Sequence, residues 1–120
     1  MAGAPPCAGP IVGAVEHDAN GTAVHTFLGV PFAAPPVGDG RFAAPGPHAG
    51  WAEPRAATHV GPCCPQGSAH DSEDCLTLDV YVPAAGGGAG GGGGQAIMAW
   101  FYGAPRSLRT RLRPRLSAEC

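Results

Sequence analysis

Lysine is missing from all 120 residues, so the seven basic side chains are arginines. That absence excludes a phosphate-cradling loop of the Gly-Lys-Ser/Thr type, even at the Gly-rich run 84–95, which is also followed by no helix start. No apolar run approaches the ~18 residues of a membrane-spanning helix, so no membrane span is expected. The start Met1-Ala2-Gly3-Ala4-Pro5-Pro6 has neither a charged leader nor a sustained apolar stretch. It therefore carries no visible secretory signal and favours the cytoplasm. Paired metal-ligand knuckles are lacking too: His59, Cys63, Cys64, His70 and Cys75 lie near one another, but the adjacent cysteines do not give the spacing a structural zinc site uses. No metal and no cofactor are expected.

What is abundant points the same way. Twenty glycines and fourteen prolines favour irregular structure, and much of the 44% apolar content is alanine, which buries little area per residue. A chain this short buries a small fraction of its surface on folding, so marginal stability follows. The net charge of −2 conceals an asymmetry, because all nine acidic residues except Glu119 precede residue 105 while Arg106, Arg109, Arg111, Arg113 and Arg115 crowd the end. A basic tail can mark a nucleic-acid partner. This one has no aromatic interleaving and no repeated spacing, so no nucleic acid is expected. A solvated tail and a slipped reading frame in a G+C-rich gene remain as its two readings.

Periodicity then locates the strands. Leu76, Leu78, Val80 and Val82 alternate with Thr77, Asp79 and Tyr81 before Pro83, which predicts a half-buried strand over 76–82. Ile11–Val15 and Thr22–Leu28 flank Asn20-Gly21, a dipeptide that supplies the positive φ angles of a tight hairpin turn. Ala96–Tyr102 is continuously apolar and of strand length, the pattern of a strand covered on both faces. Between these runs, Pro31, Pro35, Pro36, Pro45 and Pro47 impose an extended coil with turns. The five cysteines at 7, 63, 64, 75 and 120 cannot all pair within one chain, and they argue for an oxidising compartment against the cytoplasmic start.

Read in order, Phe27-Leu28-Gly29-Val30-Pro31-Phe32-Ala33, the Pro35-Pro36-Val37-Gly38 turn, Arg41-Phe42, Trp51, Gly61-Pro62-Cys63-Cys64-Pro65-Gln66 and Glu73-Asp74-Cys75-Leu76 form a series. It resembles the amino-terminal portion of the type-B carboxylesterases, the cholinesterase-like branch of the α/β-hydrolases. The likeness spans about residues 11–103. It implies an α/β-hydrolase fold of several hundred residues, of which this chain holds only the β-rich front: a hairpin, a Pro-rich coil and antiparallel strands. The expected organisation is a family fragment over 1–103, with a flexible connector at 84–95, and an unrelated Arg-rich, disordered tail over 104–120. The resemblance also implies a disulfide between Cys64 and Cys75, and a buried structural ion pair between Arg41 and Glu73.

Catalytic machinery does not follow. The family continues into a glycine loop whose N–H groups form part of an oxyanion hole; here only Gly103 maps onto it, as a remnant. No Gly-x-Ser-x-Gly occurs to place a nucleophile on a strand-to-helix turn. Ser68 lies in Gln66-Gly67-Ser68-Ala69-His70 without the second glycine, and Ser107 and Ser117 lie in the tail. His17, His25, His48, His59 and His70 read as loop or strand-face residues, so no catalytic residue is assigned. The expectation is an inactive fragment of an enzyme that hydrolyses small-molecule carboxylic esters, with self-association through exposed strands. The alternative is a non-catalytic binding or adhesion-type product of the same family.

Overall fold

A computed structural model describes residues 8–67, 71–84 and 96–101. Among the described residues there are five strands, β1 (Ile11–Val12), β2 (Ala14–His17), β3 (Ala23–Pro31), β4 (Arg55–Ala56) and β5 (Thr77–Pro83), with a 3-10 turn at Gly38–Gly40. β2, β3 and β5 form an antiparallel sheet in the order β2-β3-β5, whereas β1 pairs in parallel with β4.

The hairpin forms with His17 opposite Ala23 and Ala14 opposite Thr26. Its turn is wider than a two-residue loop, because only Gly21 takes a positive φ, at 82°, and Asn20 does not. Asp18 organises it instead. Its carboxylate Oδ1 accepts the N–H groups of Asn20 and Thr22, both at 2.8 Å, and its carbonyl accepts that of Gly21 at 3.0 Å. Short acidic side chains bond to nearby backbone in this way, so the turn closes without a second left-handed residue.

The single run expected over Ile11–Val15 is split at Gly13. A side chain there would meet the carbonyl of Thr26 and the ring of Phe27. The chain therefore passes close against β3 and changes partner, from β4 before the glycine to β3 after it. The segment at 55–58 bridges the two sheets. Ala57 donates its N–H to Val12 at 2.8 Å and accepts that of Leu28 at 2.9 Å.

A bulge re-aims β3 at this junction. Phe27 faces Val80 and Val30 faces Leu78, so Leu28 and Gly29 together oppose Asp79. Gly29 takes φ 65°, and a Cβ there would lie 2.6 Å from the carbonyl oxygen of His59. Glycine meets both demands. The displaced Gly29 N–H leaves the ladder but is not orphaned, because Asp79 Oδ1 accepts it at 2.7 Å. Asp79 thus has a structural task on its strand face.

Among the described residues the interior is small: Thr26, Pro31, Ala33 and Ala57 are the buried residues, with Thr26 at 1% exposure. The apolar face expected to be half-buried on β5 is more open than its pattern suggests, with Leu78 at 41% and Val80 at 38% exposure. The period of two sets which side chains share a face. A second layer must cover that face, and the described residues supply none. The run Ala96–Phe101 departs from expectation more sharply, since it forms no strand and its large side chains are 87–94% exposed. An apolar run becomes a strand only when a neighbouring backbone completes its hydrogen bonds, and no described strand pairs with it. Tyr102, which the expected strand included, lies outside the described residues.

Candidate functional site

The loop leading into β5 carries the densest set of specific contacts. Cys64 and Cys75 are joined by a disulfide across a Cα–Cα distance of 5.1 Å. Cys63 is not a free thiol either. Within the closed loop, Asp71 Oδ2 accepts the N–H groups of Gln66 at 2.5 Å and Gly67 at 2.6 Å. Ser72 donates its N–H to the carbonyl of Cys63 at 2.8 Å, and its hydroxyl accepts that of Asp74 at 3.1 Å. These bonds fix the direction in which Glu73 leaves the loop. Its carboxylate Oε1 meets Arg41 Nε at 2.5 Å.

That ion pair is not buried in this chain. The Arg41 and Glu73 side chains are 54% and 36% exposed, so water screens them. Arg41 also lies over the ring of Phe42, 5.3 Å from its centroid. Phe42 is the one described non-glycine residue with positive φ, at 62°, and its ring is 99% exposed. A bulky residue adopts that conformation only when its surroundings impose it. Here the residues on either side of it, Arg41 and Ala43, donate their N–H groups to the carbonyls of Gly38 and Gly40, each at 3.2 Å, which holds both ends of the bend.

A cleft of about 360 Å³ opens beside the β3 bulge, lined in part by Gly29, His48, Arg55, His59, Ser72 and Asp74. Its titratable groups are engaged locally. His48 Nδ1 accepts the Gly50 N–H at 2.9 Å while its ring meets Trp51 edge-on at 5.4 Å, and His59 Nδ1 lies 3.0 Å from Thr58 Oγ1. Arg55 sits over the Trp51 ring at 5.5 Å. Among the described residues no serine is hydrogen-bonded to a histidine, so the pairing that activates a hydroxyl is not assembled there. No described group of three His, Cys, Asp or Glu could hold a metal ion, and no described helix is long and apolar enough to cross a membrane. Gly103, Ser68, His70, Ser107 and Ser117 lie outside the described residues.

The structure therefore brings together Cys64 with Cys75 and Arg41 with Glu73, both pairs on one side of the β5 entry. Motif reading singles out none of three acidic residues with equally specific work, Asp18, Asp71 and Asp79. Asp18 and Asp71 leave a faint signal, an aspartate a few residues from a glycine, whereas Asp79 leaves none, because its partner Gly29 is 50 residues away.

Comparison with known proteins agrees with this geometry. Residues 5–110 match the model of the Carboxylesterase family. The chain is 44% identical over 82 residues to juvenile hormone esterase of Tribolium castaneum, covering 62% of this chain and 14% of that protein. It is 41% identical over 99 residues to carboxylesterase 4A of Bos taurus, covering 68% of this chain and 18% of that one. Among solved structures, a PNB esterase superposes with a TM-score of 0.54 at 43% identity, over 61% of this chain and 15% of its own. The chain thus spans under a fifth of the length of these relatives, at their amino-terminal parts. With its family match running through the hairpin, the bulge and the cross-linked loop, this chain belongs to the carboxylesterase family, as a strand-rich amino-terminal portion of an α/β-hydrolase.

Proposed function

We propose that these residues are the scaffold-bearing front of a serine-dependent carboxylic ester hydrolase, and that the 120-residue chain by itself does not turn over esters. The observation that carries this is the division of labour among its specific contacts. Cys64–Cys75, Arg41–Glu73 and Asp79–Gly29 all hold backbone in place, and none presents a nucleophile to a cleft. Acyl transfer needs an activated hydroxyl, a base to take its proton and donors aimed at the oxyanion. The sequence supplies no Gly-x-Ser-x-Gly for the first, and Gly103 is the single residue assigned to the third. Residues 1–103 are the family portion in this proposal and 104–120 a separate tail. The parent enzyme takes small-molecule esters. The fragment associates with itself through its open strands.

Hydrolysis of a short-chain aryl acetate by the purified chain tests the first part, against a protein control of matched composition. The expected result is no saturable activity and no stoichiometric labelling by a serine-directed phosphonate. Labelling of Ser68, Ser72, Ser107 or Ser117 together with loss of turnover would overturn it.

A further inference from the structure

The β2–β3 turn carries a chemical feature unrelated to ester hydrolysis. Asn20-Gly21-Thr22 is an Asn-x-Ser/Thr acceptor sequence with a residue other than proline in the middle, and Asn20 is the sole asparagine in the chain. The fold puts it at the tip of a hairpin. Asp18, Ala19, Asn20, Gly21 and Thr22 are all exposed, and a Cβ built on Gly21 would meet nothing within 4 Å. The turn's hydrogen bonds engage the backbone N–H of Asn20 and not its amide group, since Asp18 Oδ1 accepts the main-chain donors of Asn20 and Thr22. The side-chain amide therefore stands in solvent on a turn that is closed without it, so a bulky substituent there displaces no packing.

A second, independent observation concerns the compartment. Cys64 and Cys75 are cross-linked, and Cys63 is not a free thiol. Disulfides of this structural kind form and persist in oxidising, secretory surroundings. Those are the surroundings in which asparagine-linked sugars are added.

We propose that Asn20 is a site of N-linked glycosylation. The donor class is a polyprenyl-diphosphate oligosaccharide. The side-chain nitrogen of Asn20 forms a bond to the anomeric carbon of the first sugar, the bond from that carbon to the diphosphate oxygen breaks, the polyprenyl diphosphate leaves with the bonding electrons, and the amide nitrogen gives up one proton. Nothing is oxidised or reduced. Attached at the turn, the glycan projects from the β2–β3 end of the sheet and leaves the cross-linked loop free.

The test translates the full chain behind a cleavable secretory leader in the presence of microsomes and follows only the protease-protected product. The expected product migrates as a larger species that peptide N-glycosidase collapses to the unmodified size, with Asn20 converted to aspartate in the released peptide. Asn20→Gln and Thr22→Ala each abolish the shift, whereas Thr22→Ser preserves it, because the hydroxyl-bearing residue is retained. Peptide mapping without reductant shows the Cys64–Cys75 link in all four forms, which separates loss of the acceptor from loss of the fold. A protected, cross-linked wild-type chain with no glycosidase-sensitive shift would overturn the proposal, as would a shift that survives Asn20→Gln.

Discussion

At the residue scale, the hydroxyl of Thr26 stands out among the described residues, since the residue is 1% exposed and the hydroxyl has no hydrogen-bond partner. A buried unpaired hydroxyl costs the desolvation it never recovers. Thr26→Val is therefore expected to leave the fold unharmed or to stabilise it by about 1 kcal/mol, read as a shift of the urea midpoint at constant slope. Asp18 is the counter-case of a well-used polar group. The N–H donors of Thr22 and then Asn20 hold its carboxyl below the usual carboxylate range. A depressed acid contributes stability that is complete above the unfolded value and is lost as pH falls through the folded one. The protection of the Asn20 and Thr22 amides, their exchange rates taken relative to the intrinsic rate at each pH, should accordingly fall on acidification below about pH 4, the ordinary range of an aspartate. In Asp18→Asn the same amides should show no such acid-dependent step.

At the scale of single elements, β3 owes its course to the bulge at Leu28–Gly29, and the bulge owes its satisfied backbone to Asp79. Asp79→Ala leaves the part-buried Gly29 N–H without its acceptor, an expected loss of about 1–3 kcal/mol in chemical denaturation. Asp79→Asn keeps an acceptor oxygen in place and should lose less. The ion pair at the β5 entry behaves differently. Arg41→Gln should cost less than about 1 kcal/mol here, because both side chains are open to solvent. A buried pair would lose several times that. A thermal melt of the two variants in parallel distinguishes the contact that the backbone depends on from the one that water already shares.

Taken as a whole, the molecule is held by a covalent link more than by a core. Its buried apolar residues among those described are Ala33, Ala57 and Pro31, all small, while Phe32, Val12, Val15 and Phe42 stand 54–99% exposed. Reduction of Cys64–Cys75 reopens a loop with a sequence separation of 11. The expected destabilisation is about 3 kcal/mol on chain-entropy grounds, measured by comparing melts of the wild-type chain and the Cys64→Ser, Cys75→Ser double variant, because a reductant would also open the link at Cys63. The same open apolar surface should make the chain associate as its concentration rises. Sedimentation velocity across a concentration series should show species heavier than a monomer, and a lone monomer throughout would count against self-association.

How much of this was legible beforehand depends on how far apart the partners lie. Asn20-Gly21 between two apolar runs marked the hairpin, alternation from Leu76 to Val82 marked β5, and the ordered motifs from Phe27 to Leu76 marked the family, because each is a local or linear pattern. The exact turn was misjudged only in detail, since Asp18 competes for the same backbone donors as a left-handed Asn20 would release. The parallel pairing of β1 with β4 was hidden, as two-residue strands carry no period to read. The exposure of Leu78 and Val80 and the absence of a strand at Ala96–Phe101 were hidden for a second reason. Sequence by itself determined which side chains share a face and which cysteine stands at the family position. Only the tertiary structure decided what meets that face, where β3 must bend, and that Asp79 rather than a strand neighbour closes the bend, because burial and bulges are settled by pairing across long stretches of chain and not by the residues on either side.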